Sequence, residues 1–372
     1  AAGAGTLETC AELATLHQGQ ALRGRWDALD VGLREPRGVA AAIVPWNDPV
    51  AIACGAVGAC LAAGNTLVLK PSEHTPLSSM LLADVLGLPE GVLTVALGDE
   101  RMGRPLAAHP DVDVVVFVGS VEAGREVAMA CAGGLRKAVL ELGGKDPLIV
   151  DAGVDPAWAA RQAASGAFAN AGQVCTSVER IYVHRDVAGP FLEALVTEAR
   201  ALRPGPGSDE ASTMGPLVDE RQRAVVTRHV QDALDAGARA LTGGRPADGP
   251  GSFYPPTVLE GCTHIMPVMR EETFGPVAAC QVVDSFEQAL ALAADTAYGL
   301  AATVLTPSQG NALHAARCLP VGTVKVNAVW GGAPGGSAQP RRGSGEGFGY
   351  GPGLMDEVTV TKVVHLEAAP PG

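Results

Sequence analysis

A chain of 372 residues, 47% of them hydrophobic, has the length for about two domains and the apolar content for a sizeable core. Its formal net charge is −13, and no Lys/Arg cluster is long enough to follow a phosphate backbone, which argues against nucleic acid and anionic membrane as partners. The eight cysteines form no Cys-x-x-Cys pair and precede no His at zinc-ligand spacing, so they read as reduced thiols in a cytoplasmic setting, with no metal site.

The pattern predicts an amphipathic helix over 7–22 and an extended link over 29–36. A strand–helix rhythm then begins. Strand 38–44 leads into helix 48–62, and strand 66–69 into helix 76–86, which has Pro76 in its first turn. The longest apolar run, 50–63, contains glycines and is too short to span a bilayer. Nothing has the layout of a secretory leader. Short β-rich runs follow at 92–96, 114–118 and 138–141, with helices at 101–108 and 121–131.

After Gly144 the rhythm repeats: strand 148–150, helix 156–170, strand 181–184 and helix 187–200. A turn at 204–207 precedes helix 219–236, strand 277–283, helix 285–294 with a Ser cap, and strand 301–305. Helix 308–318, strand 322–326, a Gly-rich loop over 331–353 and a terminal strand over 358–364 complete the chain. Continuous apolar strands alternating with helices indicate an α/β fold with a parallel sheet covered on both faces.

Three residues stand out chemically. Cys175 ends Gly172-Gln173-Val174-Cys175. Most cysteines are small buried hydrophobes, but here Gly172 lets the backbone approach a ligand, and Asn170 and Gln173 are polar at the end of an apolar helix. Glu141 opens Glu141-Leu142-Gly143-Gly144-Lys145 at the carboxyl end of a strand, where open α/β sheets bind ligands. Partial burial there would raise its pKa toward neutrality and make it a usable base. Asn47 follows Pro45-Trp46; read alone, it caps the next helix. A thiol, a carboxylate and a carboxamide beside small or rigid residues can together serve covalent attack on a carbonyl.

No Gly-x-Gly-x-x-Gly separates a strand from a helix. The chain instead has Phe117-Val118-Gly119-Ser120 after a strand, with Gly124 beyond it. Lys70-Pro71-Ser72-Glu73 follows another strand. Further on come Glu271-Glu272-Thr273-Phe274-Gly275-Pro276, Tyr298-Gly299-Leu300 and Gly322-Thr323-Val324-Lys325-Val326-Asn327.

With these motifs in this order, from about 35 to about 362, the chain resembles the aldehyde dehydrogenase superfamily. The resemblance implies a Rossmann-like cofactor domain over 1–144, shorter at its N-terminus than in the family, an α/β catalytic domain over 145–343, and a tail over 344–372 ending in an oligomerisation strand. Residues 25–37 would be a second oligomerisation segment. It implies Cys175 as nucleophile, Glu141 as the base for water and Asn47 as oxyanion donor. The cofactor would be NAD rather than NADP, since a carboxylate at Glu73 accepts from a free 2′-OH and repels a 2′-phosphate. By the same resemblance Trp46, Lys70, Ser72, Glu73, Gly119, Ser120, Gly124, Leu142, Glu272 and Phe274 contact that cofactor.

The expected reaction is oxidation of a small aldehyde to a carboxylic acid through a thiohemiacetal and a thioester, in a homodimer or homotetramer. A CoA-acylating enzyme and a non-catalytic nucleotide-binding homologue are the alternatives. Departures from the family are Asp48 where an aromatic is common, Val118 and Val121 in place of hydroxyl residues, and Gly347-Phe348-Gly349 in a rearranged tail that includes Pro334-Gly335. Asp48 either lines the approach to Cys175, favouring neutral or amino-aldehydes over carboxylate semialdehydes, or caps the following helix.

Overall fold

The computed structural model of the chain describes residues 2–331 and 336–369. Ala2–Ala14 forms helix α1, and Gly19–Leu22 (β1) lies antiparallel to Ala28–Pro36 (β2). Next come β3 (Val39–Ile43), α2 (Pro49–Ala62), β4 (Thr66–Lys70), α3 (Pro76–Leu86) and β5 (Leu93–Val95). They are followed by α4 (Glu100–Ala108), β6 (Val114–Val118), α5 (Val121–Gly133) and β7 (Lys137–Glu141).

A second series holds β8 (Asp146–Val150), α6 (Pro156–Phe168), a 3-10 turn at Ala169–Gly172, β9 (Val178–His184), α7 (Arg185–Ala201) and α8 (Glu220–Asp235). It continues with β10 (Arg239–Thr242), β11 (Thr257–Glu260), α9 (Pro267–Arg270) and β12 (Val277–Val283). Then come α10 (Phe286–Ala294), β13 (Ala301–Leu305), α11 (Gln309–Cys318) and β14 (Thr323–Val326). A 3-10 turn at Arg342–Ser344, β15 (Gly345–Glu346), α12 (Pro352–Glu357) and β16 (Thr359–Glu367) end the chain.

The first compact unit comprises Ala1–Leu142, Ala333–Gln339 and Gly345–Gly372. Its main sheet runs β15-β7-β6-β3-β4-β5, parallel except for β15. Side chains alternate between faces with period two. Ala40, Ala42, Val114 and Val116 point into one apolar cluster with α2, while Ala41, Val115 and Phe117 point into another with Val127 and Cys131 of α5. A sheet buried on both faces needs apolar residues at successive positions, which is why β3 and β6 read as unbroken apolar runs. A smaller antiparallel sheet, β1-β2-β16, belongs to the same unit.

The second unit comprises Gly143–Gly332 and Pro340–Ser344. Its sheet runs β10-β11-β12-β9-β8-β13-β14, parallel except for β10. Its core packs strand residues such as Ile149, Ile181 and Val304 against Phe168, Phe191 and Leu195.

Several expectations are corrected. The first helix ends at Ala14, and 19–22 is a strand, because pairing with β2 outweighs a weak helical period. The extended 29–36 segment is a full strand, held on one side by β1 and on the other by β16. The helix predicted over 156–170 stops at Phe168, where Asn170 and Ala171 turn left-handed with φ of 50° and 56°. Within the Gly-rich 331–353 stretch, Arg342–Ser344 and Gly345–Glu346 are ordered elements, and α12 starts at Pro352; burial of Leu354 and Met355 overrides the loop-like composition. Pro334 and Gly335 lie outside the described residues. Strands β10 and β11 and helix α9 were not anticipated.

Gly124 controls how closely α5 packs. A Cβ at this position would overlap the Leu142 side chain. Gly124→Ala gains about 1 kcal/mol of helix propensity but overpacks the contact by roughly 1–3 kcal/mol, so the clash wins. Urea denaturation should show net destabilisation, partly relieved by Leu142→Ala in the same chain. A stabilised Gly124→Ala would contradict the packing argument.

Candidate active site

Parallel pairing fixes where the first unit's chemistry can be. Ile43 of β3 is in register with Lys70 of β4 and Phe117 of β6, and Val118 with Glu141 of β7. The segments leaving these four strands therefore share one sheet edge. They carry Trp46 and Asn47 after β3, Lys70, Ser72 and Glu73 at and after β4, Gly119 and Ser120 after β6, and Glu141 and Leu142 at β7. Gly124 lies in α5, whose first turn starts at the same edge.

Trp46 and Asn47 are half-buried, and the Trp46 ring meets His74 edge-on at 6.5 Å between centroids. Asp48, not Asn47, caps the next helix: its Oδ1 accepts from the Ala51 N–H at 3.3 Å. The cap expected as one reading of Asp48 is therefore present.

Lys70 is buried, and its Nζ lies 3.6 Å from the Glu73 carboxylate, whose side chain is 51% exposed. Ser72 Oγ accepts from the His74 N–H, which fixes the turn. Ser120 Oγ accepts from the Ala123 N–H and caps α5. A helix N-terminus attracts an anionic group, and a cation beside an acceptor suits a sugar diol. At Gly119 and Gly124 a Cβ would overlap the Phe117 ring and the Leu142 side chain, so glycine permits close packing at this edge. This donor set fits the pyrophosphate and ribose of a dinucleotide.

Glu141 is the most perturbed carboxyl of this edge. Burial pushes its pKa up to about 7, opposed by one hydrogen bond from the Gly349 N–H to Oε1 at 3.2 Å. Sequence reasoning missed Gly349. A Cβ there would overlap Glu141 Cγ, so glycine lets the tail backbone cover the carboxyl. The antiparallel pair Gly345–Glu141 brings the tail to that point. The signal in the sequence was the glycine spacing of 345–351, which composition alone reads as loop.

Cys175, Glu272 and Phe274 belong to the second unit. Cys175 follows the left-handed run Asn170, Ala171 and Gly172. Gln173 anchors this loop: Nε2 donates to the Asn170 and Pro216 carbonyls, and Oε1 accepts from the Val218 N–H at 2.8 Å. Ser177 Oγ donates to the Gly166 carbonyl on the far side. All eight cysteines are thiols. Burial pushes the Cys60 and Cys262 thiols up to about 12, and those of Cys10, Cys54, Cys131 and Cys280 upward as well. Cys175 is half-buried and Cys318 is exposed, so these two are the thiols a reagent can reach.

The Glu272 carboxylate accepts from the Gly144 N–H at 2.9 Å, joining two of the sequence motifs. Next to it lies a buried network that the sequence did not announce. Lys145 Nζ donates to Glu179 Oε2 at 2.6 Å and to Thr273 Oγ1 at 3.0 Å. Among the described residues no group of three or more His, Cys, Asp or Glu side chains is arranged to hold a metal ion. No described helix is long and apolar enough to cross a membrane.

The aldehyde dehydrogenase family pattern matches residues 1–364. A mitochondrial aldehyde dehydrogenase of Leishmania tarentolae is 37% identical over 362 residues, which cover 96% of this chain and 73% of the relative. An indole-3-acetaldehyde dehydrogenase of P. syringae, solved with NAD+ and IAA, is 36% identical with a TM-score of 0.95, covering 99% of this chain and 76% of that one. An E. coli structure described as an NADP dependent enzyme is 34% identical, also with a TM-score of 0.95, covering 98% and 77%. A match of this extent, in sequence and in fold, makes the chain a member of the aldehyde dehydrogenase family.

Proposed function

We propose that this protein oxidises a small aldehyde to a carboxylic acid with NAD, using Cys175 as a covalent nucleophile. The observation that carries the reading is Glu141: a carboxyl held near neutrality by burial, at the strand edge where ligands of parallel sheets bind. Such a group is a base at physiological pH, which an ordinary surface carboxylate with its low proton affinity is not.

In this reading Cys175 Sγ adds to the aldehyde carbon and forms a thiohemiacetal. The Asn47 side-chain amide donates to the developing alkoxide; losing one such donor typically costs about a hundredfold or more in rate. NAD, when bound, accepts the hydride that leaves that carbon. Cys175 is then an acyl thioester. Glu141 takes a proton from water, the resulting hydroxide attacks the thioester carbonyl, and the Cys175 sulfur leaves as the acid forms. Release to coenzyme A would need no base for water, so the perturbed Glu141 favours hydrolysis. A purely nucleotide-binding homologue would have no use for a buried carboxyl of this kind.

Trp46, Lys70, Ser72, Glu73, Gly119, Ser120, Gly124 and Leu142 are assigned to the dinucleotide, as are Glu272 and Phe274 on the second unit. Glu73 favours NAD, because its carboxylate repels a 2′-phosphate. The reduced thiols fit a cytoplasmic enzyme. The outer edge of β16, which pairs only with β2 among the described residues, offers backbone groups for a homodimer or homotetramer.

The pH dependence follows from Glu141. Its base form is populated only above its raised pKa, so kcat should climb with an apparent pKa near 7 and level off above it. Glu141→Gln should lose that limb with most of the turnover. A wild-type kcat that is flat from pH 5.5 to 8.5 would contradict the assignment. Glu73→Ser should narrow the gap between kcat/KM for NAD and for NADP. An unchanged ratio would mean that cofactor choice resides elsewhere.

A further inference from the structure

Phe274 has a left-handed backbone, with φ of 50°. For a bulky aromatic residue this is an unfavourable conformation, and it persists only where neighbours over-determine it. Two polar side chains, those of Glu179 and Gln222, are directed at its peptide groups. Glu179, 4% exposed, accepts from the Thr273 N–H with Oε2 and from the Phe274 N–H with Oε1, each at 2.7 Å. Gln222 Nε2 donates to the carbonyls of the same two residues, at 2.9 and 3.0 Å. Both N–H groups and both carbonyls of the dipeptide are thereby engaged.

The Glu179 carboxylate is itself neutralised by Lys145 Nζ at 2.6 Å, with the lysine side chain fully buried. Lys145 also donates to Thr273 Oγ1, which lies 3.1 Å from His229 Nδ1. Burial pushes the Lys145 ammonium down, with Glu179 opposing that shift. A buried pair of this kind contributes little net stability compared with apolar packing. Its geometry does something else: two carboxylate oxygens meet two successive peptide N–H groups.

We propose that Glu179 is a positioning residue for the cofactor loop, its carboxylate fixing the Thr273–Phe274 peptide groups so that Glu272 and Phe274 are presented to the nicotinamide half of the dinucleotide. This rests on the assignment of Glu272 and Phe274 to the cofactor under the proposed function. Glu272 is held from one side by the Gly144 N–H, and Glu179 with Lys145 ties the next two residues to the same Gly144-Lys145 strand entry. The Cys175 loop has its own separate anchors through Gln173 and Ser177. Loss of Glu179 should therefore fall on cofactor binding and spare the thiol.

Glu179→Gln tests this. The amide keeps the size but replaces one acceptor oxygen with an NH2 that must face a peptide N–H or the Lys145 ammonium. The wild type and the variant are compared in two assays. The first is NADH formation over a range of NAD concentrations, with calorimetric titration of NAD in the absence of aldehyde. The second is acylation of Cys175 by p-nitrophenyl acetate, an activated ester that needs no cofactor, read as nitrophenolate release. The expected result is a KM and Kd for NAD raised on the order of tenfold or more, the scale of one lost charge-assisted hydrogen bond, with ester acylation within about twofold of wild type.

Unchanged NAD affinity in the folded variant overturns the proposal. So does a parallel fall in both assays, which would mark a general structural role. If the single variant does not fold, Glu179→Gln with Lys145→Met removes the buried ammonium and is judged by the same split. A wild type that binds NAD but forms no NADH with any aldehyde would sink the proposed function instead, while the titration still reads the positioning role.

Discussion

Parallel strand pairing is the constraint on which the first unit's chemistry depends. It forces the carboxyl ends of β7, β6, β3 and β4 onto one edge, so residues far apart in sequence leave the sheet side by side. The helices that follow α/β strands start at that edge with their partially positive ends. In the proposed function, anion binding, oxyanion donation and a base then become matters of which side chains occupy four short loops. Small residues support the arrangement: the fully buried alanines of β3 let helices pack on both faces of the sheet.

Burying Glu141 has a thermodynamic consequence. Its folded-state pKa of about 7 lies above its ordinary value of 4.5. The folded protein therefore binds a proton that the unfolded chain releases across that interval. This contribution to stability is present below 4.5 and is lost as pH rises through about 7. At working pH the ionised carboxyl is a destabilising element, offset by the core around it. In the proposed function the same desolvation that weakens the fold there would supply the base, a trade between stability and activity. Glycine at 349 belongs to this balance, since any side chain would displace the backbone that covers Glu141.

Much of this was legible from residue order. The strand–helix rhythm located nearly every strand of the parallel sheets, because a two-face-buried strand must be apolar throughout; β6, with Val114-Val115-Val116-Phe117, is unmistakable. Capping chemistry was legible too: Ser285 caps α10 as its place in the sequence indicates. The misses share one cause, dependence on distant partners. Strand β1 is defined by β2, and α12 by burial of Leu354 and Met355 against the first unit's core. Cys175, Glu141 and Asn47 stand out as candidates through their motifs, whereas Gly349 and Glu179 do not. Their roles arise from hydrogen bonds spanning 208 and 94 residues of sequence, to Glu141 and Thr273 respectively. No local pattern encodes such separations.

The central claim is that one thiol carries the acyl group and one carboxyl releases it. Glu141→Gln separates the two half-reactions, because acylation needs only the thiolate and hydrolysis needs the base. The direct measurement is a rapid-mixing NADH trace of this variant with NAD and excess aldehyde, followed by peptide mass spectrometry of the quenched protein. The account predicts a burst of about one NADH per chain, then slow turnover, with the acyl mass on the peptide containing Cys175. No burst and no adduct, or an adduct on Cys318 instead, would contradict it.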